Sequence, residues 1–236
     1  MAAPDNIEQG EEQLLRQIVE KYQSDIKGFK RLTANLNLLL SELPTPLVHS
    51  LRAREKDPSH LYGKLCRKLR KCKEEGQPFS ITPENLFEKI NDLSGIRLLH
   101  LHTSQFPEIN TTMLTLLTNE GYIVREGPVA RIWDDEYKRI FANMGIATEA
   151  NDRMYTSVHY VVEESTRSKR TAEIQVRTLA EELWGEVDHS LNYPNPCAVP
   201  SCKEQIKVLA RATSTCTRLV DSIFQTKNDA DTPAHK

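Results

Sequence analysis

Between Glu173 and Tyr193 the apolar residues change their period in a single step, from two to about three and a half. Glu173, Gln175 and Arg177 alternate with Ile174 and Val176, as on a half-buried strand. Beyond Thr178, Leu179, Leu183, Val187 and Leu191 recur at helical spacing and predict a buried stripe, with Glu182, Glu186 and His189 on the polar face. Thr178 and Glu181 read as a capping box that starts the helix at the strand's end. A carboxylate, an amide and a guanidinium in a row beside a helix start form either a reactive surface or a salt-bridged, solvated strand face. Spacing alone leaves both readings open.

The rest of the chain follows the same alternation. Residues 7–42 read as one long helix or a helical pair, with Leu15, Tyr22, Phe29 and Leu36 every seven residues, ended by Pro44 and Pro46. Val48 to Lys56 reads as a strand with Arg52, Arg54 and Lys56 on one face. Asp57-Pro58 caps a helix with an apolar stripe (Leu61, Leu65, Leu69) and a basic one (Lys64, Arg67, Lys68, Lys71). Thr82-Pro83 opens a short helix, Gly95 to Leu101 forms a central strand, and a helix spans about Pro107 to Glu120. Tyr122 to Arg125 is a short strand, and Gly127 to Met154 is irregular apart from one helix around Asp134 to Asn143. Two further strands, Tyr155 to Val162 and Ala172 to Val176, flank a polar turn from Glu164 to Arg170.

These elements predict a single α/β domain with a mixed sheet of about five strands flanked by helices. The expected organisation is an N-terminal helical segment (1–46), a core (47–196), a C-terminal helix (197–225) and a disordered tail (226–236).

Composition narrows the function classes. The 236 residues suffice for one ordinary core, and no apolar run is long enough to span a bilayer. The acidic, polar N-terminus is not a signal peptide, so a cytoplasmic location is expected. Five cysteines without paired spacing read as reduced thiols, with Cys197 and Cys202 flanking a Pro-rich loop. The net charge of −2 argues against a chain coated for nucleic acid. Residues 52–73, however, carry nine cations against Glu55 and Asp57. Such a block is either one polyanion site or a solvated charged helix.

Four collinear segments resemble one family. They are Arg54-Glu-Lys56 with Lys64 and Arg67; Asp92-Leu-Ser-Gly-Ile-Arg97; Tyr155-Thr-Ser-Val-His159; and Glu173-Ile-Gln-Val-Arg-Thr followed by Trp184 and His189-Ser-Leu-Asn-Tyr193. Together they resemble the RelA/SpoT alarmone synthetases, especially the small single-domain members. The resemblance implies transfer of the β,γ-pyrophosphate of ATP to the 3′-hydroxyl of GDP or GTP. It assigns ATP binding to Arg54, Lys56, Lys64, Arg67 and Arg97, with Arg54 and Arg97 sandwiching adenine. Asp92 and Glu173 would bind Mg2+, and Glu173 would serve as the catalytic base. Tyr155 would stack on the acceptor base, with His159, Gln175, Arg177 and Glu182 around the acceptor.

Three positions depart from the family pattern, all on the acceptor side. Thr156 stands where many relatives have Arg, Glu182 where they have Asn, and Pro194 where they have Lys. A second reading therefore keeps the chemistry and makes the 3′ end of tRNA the acceptor, as in toxic relatives that block translation. A third makes the chain an inactive nucleotide-binding module. The protein partners implied are a second copy of the chain or a neutralising antitoxin protein. No hydrolase segment is expected, and no membrane.

Overall fold

The computed structural model describes residues 7–231 apart from 165–167 and 194–196. Pro194, the middle of the Glu164–Arg170 turn and the last five residues of the expected tail lie outside the described residues. The N-terminal segment is a helical pair, α1 (Gln9–Ser24) and α2 (Ile26–Leu40), broken at Asp25. Leu15, Tyr22, Phe29 and Leu36 are all fully buried, so the seven-residue stripe faces the core. Asp25 at the break receives Arg170 Nε at 2.7 Å and Nη2 at 2.9 Å, which ties the helix junction to the residue that leads into the strand starting at Thr171.

Strand β1 (Ser50–Glu55) leads into α3 (Pro58–Glu74), capped by Asp57, whose Oδ1 accepts from Ser59 N at 2.7 Å. Leu61, Leu65 and Leu69 are buried, as their spacing predicts. The helix after Thr82-Pro83 is a single turn, α4 (Leu86–Lys89). Strand β2 (Ser94–His100) and α5 (Phe106–Asn119) follow, and Gly121 at φ +75° lets the chain leave α5. Then come β3 (Ile123–Ile132), α6 (Asp135–Asn143), β4 (Ala147–Ala150), β5 (Ser157–Glu163) and β6 (Thr171–Thr178). Helix α7 (Leu179–Asn192) grows directly from β6, and α8 (Pro200–Asp231) closes the described chain. No described helix is long and apolar enough to cross a membrane.

The sheet is mixed and has six strands in the order β1-β2-β6-β5-β3-β4, with β2/β6 and β3/β4 parallel. Most of the stretch expected to be irregular belongs to β3 and β4. Gly127-Pro128 interrupts the alternation there, and the register with β5 shifts on both sides of Glu126 to accommodate it. Helix α8 also runs through residues 226–231, where a tail was expected. The composition there is polar, but no Gly or Pro occurs before Pro233, so nothing in the backbone ends the helix.

Register sorts the side chains of the central strands onto two faces. Ile96, Ile174 and Tyr160 are cross-strand neighbours, all fully buried on the core face beneath α1, α2 and α5. The opposite face carries two rows, Arg52–Arg97–Gln175–His159 and Arg54–Gly95–Glu173–Val161. Helix α7 is tethered over this second face.

The face that α7 buries differs from the predicted one. Leu183 and Leu191 are exposed, whereas Glu181, Glu182 and Trp184 are buried. Beneath the helix lies the buried Arg177 guanidinium, so this side needs carboxylates rather than leucines. The capping box is half made. Thr178 accepts from Glu181 N at 3.3 Å, but the Glu181 carboxylate turns away to accept from Thr156 N at 3.1 Å.

Candidate active site

A cleft of about 360 Å³ opens on the polar face of the sheet, lined by Arg54, Asp92, Gly95, Arg97, Glu173 and Glu186 among others. It joins a wider basic cleft of about 630 Å³ along α3, where Lys56, Lys64, Arg67, Lys68 and Lys71 gather. Every residue expected on the ATP side lies in these two clefts. Strand pairing supplies Arg54 and Arg97, and the helical spacing of three presents Lys64 and Arg67 to the same space.

Asp92, two residues before β2, receives Lys56 Nζ and Lys64 Nζ at 2.7 Å each. Burial raises its carboxyl, but the two ammonium groups outweigh burial and hold it down at about 2. Asp92 therefore stays ionised over any working pH. Glu173 accepts from His159 Nδ1 at 2.9 Å through Oε1 and from Gln175 Nε2 at 2.9 Å through Oε2. Burial raises this carboxyl as well, and His159 with Gln175 brings it below the ordinary glutamate value. Nε2 of His159 is buried without a hydrogen-bond partner among the described residues.

The residues expected on the acceptor side divide into two groups. Tyr155 packs on Trp184 with ring centroids 5.9 Å apart and lies 6.3 Å from His159, which places it beside the Glu173 pair. Its backbone is set by Asn151, which donates to Tyr155 O at 3.0 Å, and by Met154 in the left-handed region at φ +62°. A non-glycine residue held there stores on the order of 1 kcal/mol, which recurs where a neighbouring side chain must be aimed. Arg177 and Glu182 lie deeper. They are ion-paired and both buried, and Arg177 lines a small interior cavity instead of the open cleft. Burial pushes Arg177 down to about 10. Gly185 on α7 makes room for it, because a Cβ there would stand 2.7 Å from Arg177 Nη1.

Sequence reasoning passed over Arg52 and Glu186 as site residues. Arg52 Nη1 reaches Glu182 Oε1 at 3.0 Å and Glu186 Oε1 at 3.3 Å, while Arg97 Nη1 bonds the same two oxygens. The one-turn spacing of Glu182 and Glu186 is legible in the sequence, but the Arg52–Arg97 pairing that meets them is set by strand register and is not. At the C-terminal end of α7, Tyr193 stacks on His189, lies under Arg67 at 5.3 Å and donates to His60 O at 3.2 Å. These contacts tie α7 to α3 across the basic cleft.

Fold and site define an α/β protein with an arginine-lined cleft leading to two carboxylates and a cluster of lysines. Residues 53–197 match the family described as the region found in RelA / SpoT proteins, and the chain belongs to that family. Small alarmone synthetase 1 from Bacillus subtilis has a similar structure, with a TM-score of 0.61 at 18% identity over 90% of this chain and 98% of that one. Small alarmone synthetase 2 from Bacillus subtilis gives 0.53 at 18% identity, over 88% and 98%. A GTP pyrophosphokinase family protein from Streptococcus pneumoniae gives 0.52 at 18% identity, over 92% and 93%. These likenesses show a shared fold. No curated protein matches the chain.

Proposed function

We propose that the chain is an ATP-dependent pyrophosphokinase that moves the β,γ-pyrophosphate of ATP to the 3′-hydroxyl of GDP or GTP, making (p)ppGpp. One observation carries the reading: Asp92, clasped by Lys56 and Lys64, shares a cleft with Glu173 and the arginines of β1 and β2. Phosphoryl-type transfer asks for charge neutralisation, alignment and a base on the attacking hydroxyl. Lys56, Lys64 and Arg67 bind the triphosphate, and Arg54 and Arg97 hold the adenine between guanidinium faces. Glu173 takes the hydroxyl proton, with its carboxylate fixed by His159 and Gln175. Tyr155 stacks on the acceptor base. A protein of the same fold, small alarmone synthetase 1 from Bacillus subtilis, has been solved bound to its product pppGpp, which agrees with this reading.

Asp92 and Glu173 offer hard carboxylate oxygens to one cleft, a donor set that suits Mg2+, which keeps several waters and needs few protein ligands. Bound there, the ion neutralises phosphate charge and helps align the transferring group.

A second acceptor has its own support. Beyond Arg67 the groove continues into a space of about 460 Å³ edged by Arg153, Lys203 and Lys207 as well as Asp152 and Asp188, which extends a net cationic surface past the donor cleft. Glu182, the residue available to read guanine, is already engaged by Arg52, Arg97 and Arg177. Both features suit the 3′ end of tRNA. The test is to incubate the protein with γ-labelled ATP and Mg2+ and offer GDP, GTP or deacylated tRNA. Label in GDP or GTP supports the first reading and label in tRNA the second. Label in none leaves an inactive nucleotide-binding module and overturns the proposal.

A further inference from the structure

The two arginines expected to sandwich the donor base are held very differently. Arg97 Nη1 bonds two carboxylates of α7 at once, Glu182 Oε1 at 3.1 Å and Glu186 Oε1 more closely. Its cross-strand neighbour Arg52 bonds the first of these oxygens and ion-pairs with the second. Arg54, on the adjoining row, is exposed and forms no ion pair among the described residues. The N–H donors of a guanidinium lie in its plane, so carboxylates that bind its edge leave its flat faces uncommitted. Stacking uses the face. A grip on the edge thus converts a long, flexible side chain into a fixed platform, and the ordering is done before any ligand arrives.

We propose that Glu186 is a positioning residue for the donor nucleotide: with Glu182 it grips the edge of Arg97 and holds the guanidinium face to the cleft where the base stacks. This inference rests on the reading of that cleft as the donor site. Arg97 becomes the rigid wall, and Arg54 is the wall that closes. The competing account is that these ion pairs only fasten α7 to the sheet. That role would register in stability and would be indifferent to nucleotide.

Glu186 suits a test because its side chain is 46% exposed and can be changed without opening the core, unlike Glu182 at 8%. ATP affinity is measured by calorimetric titration without acceptor for the full chain and for Glu186→Gln, Arg97→Ala and the double variant. Steady-state constants and thermal midpoints are measured on the same proteins. Glu186→Gln is expected to weaken ATP roughly three- to tenfold, the scale of ordering one long side chain on binding, with kcat at saturating ATP and the midpoint held. In the Arg97→Ala background the same change should do nothing further, because a positioning residue acts only through the group it positions. Glu186→Asp, which keeps the charge, should recover part of the affinity.

Wild-type affinity in Glu186→Gln overturns the proposal, as do effects of Glu186→Gln and Arg97→Ala that multiply. The proposed reaction fails separately. A wild-type chain that binds ATP but transfers nothing leaves this inference standing on its titrations, whereas one that binds no ATP removes the donor site itself.

Discussion

His159 Nδ1 and Glu173 Oε1 stand 2.9 Å apart on adjacent strands, and Gln175 Nε2 binds the other carboxylate oxygen at the same distance. A carboxylate held at both oxygens has one orientation and stays ionised, as a base aimed at one hydroxyl requires.

Glu173→Gln removes the proposed base and leaves the lysine clasp and arginine cleft in place. Turnover should fall about 10²–10⁴-fold while ATP affinity is held. Pyrophosphoryl transfer within a few-fold of wild type would reject Glu173 as the base.

Gly95 is the member of its cross-strand row that has no side chain, between Arg54 and Glu173 on the floor of the cleft. A Cβ there would meet only Glu173 O at 3.9 Å and Arg54 O at 4.0 Å, ordinary contact distances. Gly95→Leu should therefore fold normally and fill the space proposed for the donor nucleotide. We expect ATP binding to weaken at least about tenfold, or ~1.4 kcal/mol, with an unchanged midpoint. ATP affinity equal to wild type would move the donor out of this cleft.

Tyr155→Ala separates the two substrates. Loss of one stacked base contact is worth about 1–3 kcal/mol, so the acceptor KM should rise while ATP affinity stays. If RNA is the acceptor, neutralising Lys203 and Lys207 should also flatten the salt dependence of binding. A fall in ATP affinity with unchanged acceptor kinetics would place Tyr155 on the wrong substrate.

Glu181, buried under α7, has its carboxyl raised to about 7 by burial. Between the ordinary value of 4.5 and about 7 the folded chain holds one proton more than the unfolded chain. The stability it contributes is complete below that window and is lost as pH rises through it, by at most about 1.4 kcal/mol per pH unit. His100, lowered to about 4 by burial, slopes the other way, so the readout is a difference between proteins. Glu181→Gln keeps an oxygen for Thr156 N and should gain stability over wild type steadily from pH 5 to 7, then level off. Parallel denaturation curves across that range would show that Glu181 does not carry this proton.

Much of the architecture was legible because burial and period coincide along most of the chain. The Leu15–Leu36 stripe, the Asp57 cap and the Glu173–Arg177 alternation each describe a face that meets either core or cleft. Legibility failed where a local rule met a tertiary demand. Leu183 and Leu191 read as buried, but α7 lies over a guanidinium and turns Glu181 and Glu182 inward. The strand was expected to end at Arg125, but a register shift carries β3 through Gly127-Pro128 to Ile132. The residues expected on the ATP side share one pair of joined clefts because the β1–β2 register places Arg54 and Arg97 and the helical spacing of α3 places Lys64 and Arg67. Glu186 was missed because its partner Arg97 is remote in sequence, and no local pattern announces an edge-on grip.

The parallel seam between β2 and β6 has a consequence for how the molecule comes into being. Asp92 and Arg97 stand at one side of that seam, Glu173 and Gln175 at the other, and about a third of the chain loops out between them. Closing so large a loop carries its entropy cost before the pairing returns anything, so this contact should form late in folding. During synthesis the lysines, the aspartate and the arginines of β1 and β2 all emerge before the glutamate that faces them. A ribosome-bound chain stalled short of β6 would carry an incomplete cleft, which is closed only when the last strand of the sheet arrives.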